Sequence, residues 1–434
     1  MSDVSTVVTA IATCLVALLQ PVVAAVGHDG VLDQKLLMNT TGLYPRIILL
    51  PSHGSGGNDT LLASLVTFAS SGQGIGRIMR STDGGRSFSH LADIMDPEAV
   101  HGLCCATLYV VPASVHSTIM PPGSILWAGS FGANKKQMSI RLWMSRTHGA
   151  SWSFVSTIVN TTSQRGLWEP EFFVGHDGAL SCYYSDETFY PAHSQVLARR
   201  QSKDGFKWDA KSKLIVASPI PFYRPGMANV RSLASNLYIM SYEVCGTGCM
   251  VHIRWSRDGV QWGNPADMGT LVLGHQAKKK KGDDATTITE TTKASVQWLY
   301  FAHTPVLATL GHTKTTSVVD NNNGTCSSFL LFAQMLKLNE TDDVAPLSGK
   351  SYFQCHVDDG PSELLDCTVH SAPVGFYVSQ SSWCPNYSPG VVTFHPNASV
   401  VAARTAQIVE ISSFYISGEG SPCAPWFGSS AVEY

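Results

Sequence analysis

The sequence predicts an all-β chain folded as a six-bladed β-propeller with four-stranded antiparallel blades. Three observations predict it. Four stretches resemble one another: "RIMRSTDGGRSF" (77–88), "RLWMSRTHGASW" (141–152), "ARRQSKDGFKW" (198–208) and "HIRWSRDGVQW" (252–262), with Ser81, Ser145, Ser202 and Ser256 in register at steps of 64, 57 and 54 residues. Each is preceded by two strand-length apolar runs separated by turn residues, such as "EPEFFVG" and "LSCYYSD" around "GHDG". The composition, 44% hydrophobic and 14% charged, is that of a packed soluble body. A unit of strand, turn, strand, loop, strand, glycine turn, strand is one small antiparallel sheet, and such sheets repeated about an axis make a propeller.

In chain order, the first element is an uncharged apolar run, "VVTAIATCLVALLQPVVAA" (7–25), with Val23 and Ala25 at the small-residue positions of a cleavage site. The expected organisation is a signal peptide over 1–25 and a single propeller catalytic domain over 26–434, with an irregular insertion around 275–370. A membrane anchor is the alternative for the first segment; Pro21 and the small residues favour cleavage. Secretion also fits the N-x-Ser/Thr sequons at Asn39, Asn58, Asn160, Asn323, Asn339, Asn386 and Asn397. Of 11 cysteines, Cys14 lies in the apolar run and an even number remain, compatible with disulfides. Cys245 and Cys249, flanking "GTG", are spaced to close a small loop; a metal site there lacks further His or Cys partners at ligand spacing.

Four units are clear from Leu43 to about Gly274. Within the first, "GQGIG" (72–76) lies between two strands with no helix after it, so it reads as a hairpin and not a dinucleotide loop. "HQAKKKKGDDATTITETTK" (275–293) reads as an exposed polar loop. Strand-like runs return at "SVQWLYFA", "SSFLLFAQML", "GVVTFHP" and "SVVAARTAQIVEI", enough for two more blades, while the acidic stretch from Asn339 to Asp366 fits no blade.

In the Ser-x-Asp turns the aspartate accepts backbone N–H bonds, glycine supplies positive φ and the aromatic packs beneath. Asp83, Asp204 and Asp258 therefore read as structural. Chemistry is expected where first strands line the channel. Prolines, which cannot donate to a ladder, mark those strand starts in "YPR", "WEPEF", "YRPGM", "HTP" and "NYSPG". Their polar neighbours include Arg46, Glu169, Glu171, Arg224, His303 and Tyr387. Two residues apart on a strand, Glu169 and Glu171 are expected to share a face. Glu243 in "YIMSYEV" stands one blade later, and Glu187 in "YYSDE" holds a similar place in the earlier repeat. Paired carboxylates beside aromatic residues are the minimum for glycoside hydrolysis. Tyr44, Trp168, Tyr223 and Tyr387 offer faces on which sugars stack, or simply pack at blade starts.

"LWEPEFFVGHDGALSCYYSDE", "RPGMANVRSLASNLYIMSYEVCG", the Ser-x-Asp turns and "NYSP" together resemble the exo-α-1,5-L-arabinanases of glycoside hydrolase family ninety-three, secreted six-bladed propellers of the sialidase superfamily with Asp-box repeats. The resemblance covers most of 43–265 and resumes near 380–410. It implies retaining, exo-acting cleavage of α-1,5-linked L-arabinan with release of arabinobiose. It also puts the catalytic carboxylates on the "WEPEF" and "SYE" positions: Glu243 for the second, Glu169 or Glu171 for the first. A retaining pair stands about 5–5.5 Å apart. Arg46, Trp168, Tyr223, Arg224 and Tyr387 are the expected substrate contacts.

Two rivals remain open: an exo-α-sialidase, for which Arg46, Arg224 and Arg404 would have to converge on a substrate carboxylate, and a non-catalytic glycan-binding propeller. A net charge of −3 without a basic stripe gives no footing for nucleic acid, and no later run is long and apolar enough for a membrane. The expected partner is a polysaccharide or oligosaccharide, arabinan above all, bound by a secreted monomer that needs no metal or cofactor.

Overall fold

The computed structural model describes residues 31–50, 60–85, 87–135, 137–234, 237–246 and 249–276, and beyond them the strand segments 299–309, 327–338, 344–346, 351–357, 364–371, 390–394, 399–405 and 408–415. A first strand, β1 (Val31–Thr41), precedes the repeats. Then come β2 (Leu43–Leu49), β3 (Leu61–Phe68), β4 (Gly74–Ser81) and β5 (Ser89–Ile94); β6 (Leu103–Val110), β7 (Ile125–Phe131), β8 (Ser139–Ser145) and β9 (Ser153–Asn160); β10 (Leu167–Val174), β11 (Leu180–Asp186), β12 (Val196–Ser202) and β13 (Lys213–Val216); and β14 (Arg224–Ala234), β15 (Leu237–Cys245), β16 (Met250–Ser256) and β17 (Thr270–Gln276). The later strands are β18 (Leu299–Thr309), β19 (Ser327–Leu338), β20 (Val344–Pro346), β21 (Ser351–Val357), β22 (Leu364–Ser371), β23 (Gly390–Phe394), β24 (Ser399–Thr405) and β25 (Ile408–Tyr415). The helices among the described residues are two short 3-10 turns, at Pro97–His101 and Ala133–Lys135.

The sheets are the antiparallel four-stranded blades of a propeller. Three of them, β2–β5, β6–β9 and β10–β13, are each made of consecutive strands. A fourth joins the two ends of the chain, in the order β1-β25-β24-β23. The first repeat unit begins at Leu43 as expected, and the strand ahead of it, Val31–Thr41, pairs with β25 through Lys35↔Ile411 and Leu36↔Glu410. The expectation of six separate blades is corrected. β14–β17 continue through β18 into β19, β21 and β22 as one nine-stranded sheet, with β20 paired to β19 and β17 also parallel to β22. The acidic stretch that fitted no blade supplies β20 and β21 to this sheet.

Second strands are buried on both faces because each blade is sandwiched between two others; β7 and β11 are buried at every residue, and β3 at all but its last. They accordingly read as apolar runs with small residues, not as alternation. Outer strands face water, and β5 starts with two exposed residues. The core lies between blades: Leu62, Ile78, Leu108 and Trp127 between the first two, Leu126, Ile140, Leu180 and Val196 between the next two, and Tyr183, Leu197, Val230 and Met240 between β10–β13 and β14–β17. Each fully buried leucine contributes about 1.5–3 kcal/mol of transfer free energy. First strands meet about the axis, β2 against β6, β6 against β10, β10 against β14 and β14 against β18, while β23 touches both β18 and β2. "GQGIG" is the β3–β4 hairpin, with Gly72 at φ 83° and Gly74 opening β4.

The four Ser-x-Asp or Ser-x-Thr turns join third to fourth strands. In the third blade, Ser202 Oγ accepts from Gly205 N at 2.8 Å, and Asp204 Oδ1 accepts from Phe206 N and Lys207 N, both at 2.8 Å. Asp258 repeats this with Val260 N and Gln261 N, and Asp83 with Ser87 N. In the second blade Thr147 Oγ1 takes the same part, accepting from Ser151 N at 2.9 Å. All four turns lie at the end of the blade away from the starts of the inner strands.

Candidate active site

Every inner strand of the first four repeats is bulged at the same place, between Leu43 and Arg46, Cys104 and Thr107, Trp168 and Glu171, and Gly226 and Asn229. The residue inside each bulge is left-handed: Tyr44 (φ 49°), Cys105 (φ 57°), Glu169 (φ 59°) and Met227 (φ 56°). Left-handed backbone costs a non-glycine residue roughly 1–2 kcal/mol, so four equivalent instances mark a built feature. Pro45 and Pro170 follow directly, where the widened ladder loses nothing to a residue without an N–H. Tyr44, Cys105 and Met227 form one buried cluster, with Trp168 and Cys104 packed against it. Cys104 and Cys105 are joined by a disulfide between adjacent residues.

The bulge also corrects the expectation that Glu169 and Glu171 share a face, because it interrupts the two-residue alternation between them. Their partners differ accordingly. Glu169 is held by donors from three strands. Ser185 Oγ donates to its Oε2 at 2.7 Å, Met227 N donates to the same oxygen at 3.1 Å, and Tyr44 Oη donates to Oε1 at 3.4 Å. Burial pushes its carboxyl above the usual carboxylate range, against the pull of these three donors and of the Arg224 charge. Glu171, 4% exposed, instead receives Arg231 Nη1 at 2.6 Å and Thr107 Oγ1 at 3.3 Å. It is a buried, ion-paired carboxylate below the mouth.

Glu243 sits on β15 directly opposite Gly226 of β14. Directly opposed residues on antiparallel strands project to the same face. What that face looks onto is given by Gly226: a Cβ there would meet Gln195 Nε2 at 2.6 Å, Ser185 Oγ at 3.1 Å and Glu169 Oε2 at 3.4 Å. Glycine at 226 thus lets Gln195, Ser185 and Glu169 of the third repeat close against the β14–β15 pair that carries the buried Glu243. Beside Glu243, Cys245 and Cys249 form a disulfide, which fits the expected small loop. Ligand atoms of Glu243, Cys245 and Cys249 lie within 4.8 Å of one another. With both sulfurs bonded to each other they are not thiolates, and so not metal ligands.

The other predicted residues divide. Arg224 is at the site but committed: it donates to Glu187 Oε1 and to Gln195 Oε1, each at 2.6 Å. Glu187 also accepts from Gly166 N, at 2.8 Å, so it braces the site and is not a free acid. Arg46 is on β2; burial pushes its guanidinium below its ordinary value, with Glu171, Tyr44 and Glu169 raising it and Arg231 lowering it further. Trp168 is half-buried over the Tyr44–Cys105–Met227 cluster. Tyr223 packs edge-on against Phe222, which is 61% exposed. Tyr387 and the sequon at Asn386 lie outside the described residues, as do the segments 1–30 and 277–298; Arg404 is described only as a position on β24.

Four residues of the site escape the sequence reading: Ser185, Gln195, Gly226 and Arg231. Gly226 stood within "RPGM", whose repeat position could have flagged it. Arg231 gives no such signal, since it is five residues beyond a glycine in a strand of otherwise ordinary composition. The site brings together a hydrogen-bonded carboxylate, a second buried carboxylate on the neighbouring strand pair and the aromatic pair Phe222–Tyr223, residue types suited to acid–base and nucleophilic chemistry.

Neither a protein-family model nor a curated protein sequence matches the chain. Solved structures do match its fold. An α-L-arabinanase of Penicillium chrysogenum complexed with arabinobiose is similar at a TM-score of 0.59 and 18% identity, covering 88% of this chain and 98% of that one. An α-L-arabinofuranosidase of glycoside hydrolase family ninety-three from Fusarium graminearum, with arabinobiose, is similar at 0.57 and 17%, covering 90% and 97%. At such identities the likeness carries the propeller fold.

Proposed function

We propose that this chain is a secreted, retaining, exo-acting glycoside hydrolase on a β-propeller, cleaving α-1,5-linked L-arabinan to release arabinobiose. The observation that carries the reading is Glu169: a carboxylate on a strained bulge, oriented by a hydroxyl, a backbone N–H and a phenol, and close to Gly226, the strand partner of Glu243. In the reaction, Glu169 attacks the anomeric carbon while Glu243 protonates the departing glycosidic oxygen. Glu243 then takes a proton from water, which attacks the glycosyl ester and frees Glu169. This reading requires a carboxylate separation of about 5–5.5 Å in the working complex. Arabinobiose bound to two structures of the same fold supports the substrate class. The apolar run at 7–25 and the exposed sequon at Asn160 support secretion.

A second reading, an exo-α-sialidase, is favoured by one observation: Tyr44 Oη lies 3.4 Å from Glu169, the kind of tyrosine–glutamate couple some sialidases use. Against it, Arg224 and Arg231 are already paired with Glu187 and Glu171. Incubation with linear 1,5-arabinan, with products followed by NMR, separates the readings. Arabinobiose should appear with retained anomeric configuration, and Glu243→Ala should lower the rate by about 10²–10⁴-fold, the usual worth of a general acid. Release of sialic acid instead of arabinobiose would transfer the assignment to the sialidase. A protein that binds arabinan without cleaving any glycan would leave only a lectin-like propeller.

A further inference from the structure

Three of the four bulges on the inner strands carry a proline: Pro45 and Pro170 lie inside theirs, directly after Tyr44 and Glu169, and Pro225 stands just ahead of the fourth, before Gly226. Proline fixes its own φ, so it removes conformations from the short irregular stretch it belongs to. The second bulge has none. From Gly102 to Val110 the chain reads "GLCCATLYV", with Ala106 in the place of Pro45 and Pro170. It has the Cys104–Cys105 disulfide instead. A bond between adjacent side chains closes a small ring that includes the peptide between them, and so restrains the backbone that proline restrains in the other repeats. A proline is permanent, whereas a disulfide opens on reduction. Cys104 is only partly buried, which leaves its sulfur within reach of a reductant.

The second bulge stands behind both carboxylates of β10. Cys105, 2% exposed, shares its buried cluster with Tyr44 and Met227, the residues whose Oη and backbone N–H reach Glu169. Two residues further along β6, Thr107 donates to Glu171. We propose that the Cys104–Cys105 disulfide is a reducible lock on the second bulge and, through Tyr44 and Met227, a positioning element for Glu169, so that cleavage requires the oxidised pair. This rests on Glu169 being the nucleophile of the reaction proposed above. The lock opens by exchange with a dithiol: one thiolate of the reductant attacks Cys104 Sγ and Cys105 leaves as thiolate, then the second thiol of the reductant releases Cys104. Both cysteines end as thiols, having taken two electrons and two protons, and the reductant leaves as its own disulfide. Misplacing a reacting group by about 1 Å costs about 10²-fold, so a small relaxation of the bulge is enough.

The test uses the full chain. Dithiothreitol should lower kcat on linear 1,5-arabinan about ten-fold or more while KM stays within about two-fold, and reoxidation should restore it. Cys104→Ala/Cys105→Ala should show the same loss without reductant. Adding Ala106→Pro to that variant gives the second bulge the proline of the first and third. It should bring kcat back to within about three-fold of the parent and make it indifferent to dithiothreitol, although Cys245–Cys249 is still there to be reduced. Hydrogen exchange followed by mass spectrometry should quicken over 43–46, 104–107 and 168–171 when the lock is open and slow again with the proline. Should the alanine pair not fold, the reduced parent carries the same comparison. If the oxidised parent cleaves no arabinan, the hydrolase reading fails, and the exchange measurement alone decides the lock. An unchanged kcat and unchanged exchange in protein shown by thiol labelling to have lost the Cys104–Cys105 bond would overturn the proposal. So would a proline variant no better than the alanine pair, which would leave the disulfide a local packing feature.

Discussion

The two ends of each blade repeat the same backbone and use it oppositely. At the outer turns the residue changes little from blade to blade: Ser81, Ser145, Ser202 and Ser256 accept the same glycine N–H bond, and Asp83, Thr147, Asp204 and Asp258 cap the same turn. At the bulges of the inner strands the backbone is equally constant, with φ between 49° and 59°, but the side chains are Tyr44, Cys105, Glu169 and Met227. A repeated geometry with a repeated residue is a fold requirement. The same repeated geometry holding four unrelated side chains is a ring of sites, each free to take whatever chemistry the axis needs.

Changing the two ends should therefore give effects of different kinds, the greatest at Glu169. Glu169→Gln should lower arabinan cleavage on the order of 10³-fold or more, since an amide is no nucleophile. Its stability should move the other way. The folded-state pKa is raised by burial, so ionising Glu169 costs more in the folded protein than in the unfolded chain, and stability is lost as pH rises from below the unfolded pKa through the folded one. A neutral amide escapes that loss. It keeps an oxygen for Met227 N and Ser185 and turns its NH2 toward the Tyr44 oxygen. The melting temperature of the variant should exceed the parent's at neutral pH, and the difference should vanish below the ordinary carboxylate range, where the parent is protonated folded or unfolded. A variant less stable than the parent at neutral pH would show that the donors outweigh burial.

Next in size is the pair beneath the mouth. Arg231→Ala strands Glu171, 4% exposed, without its 2.6 Å partner. Breaking a buried pair costs about 3–5 kcal/mol, and the one-third exposure of Arg231 points to the lower end of that range. Urea unfolding should show a lowered midpoint with an unchanged slope, largely recovered in Arg231→Ala/Glu171→Gln. If the double variant is no better than the single, Arg46 and Thr107 already satisfy Glu171.

The same contrast explains what the sequence made legible. Turns announce themselves because their residue types recur at steps of 64, 57 and 54, and the four early blades follow from that spacing. Glu169, Glu171 and Glu243 were legible as carboxylates out of place in apolar runs. Their division of labour was not, because the alternation rule assumes a regular strand and the bulge at Trp168/Glu171 breaks it. Pro45 and Pro170 carried the trace of that bulge, and the expectation took them for strand-start markers. Long-range partners were illegible in principle: β1 pairs with β25 across nearly the whole chain, and Arg231 meets Glu171 sixty residues away. The joining of β17 to β18 and β22 was hidden similarly, since "HQAKKKKGDDATTITETTK" reads as a break between blades while the strands beside it pair.

The smallest effect is expected where the repeat is strictest. Asp204 stands in the turn after β12, at Ser202, whose partner Leu180 is at the opposite end of β11 from Ser185. Its carboxyl is held below the usual range, first by the Lys207 N–H and also by the Phe206 N–H and Ser202 hydroxyl, with burial opposing. A lowered folded-state pKa contributes stability that is present above the unfolded pKa and lost as pH falls through the folded one. Asp204→Ala removes three acceptor contacts from an exposed turn, for which about 1 kcal/mol is a fair magnitude. The deficit in urea unfolding should be full at neutral pH and shrink in acid, where the parent also loses its carboxylate. Activity on arabinan should be unchanged, because nothing in the turn reaches the bulge ring. A variant that folds normally but loses cleavage would tie the outer turn to the site and erase the distinction between the two ends.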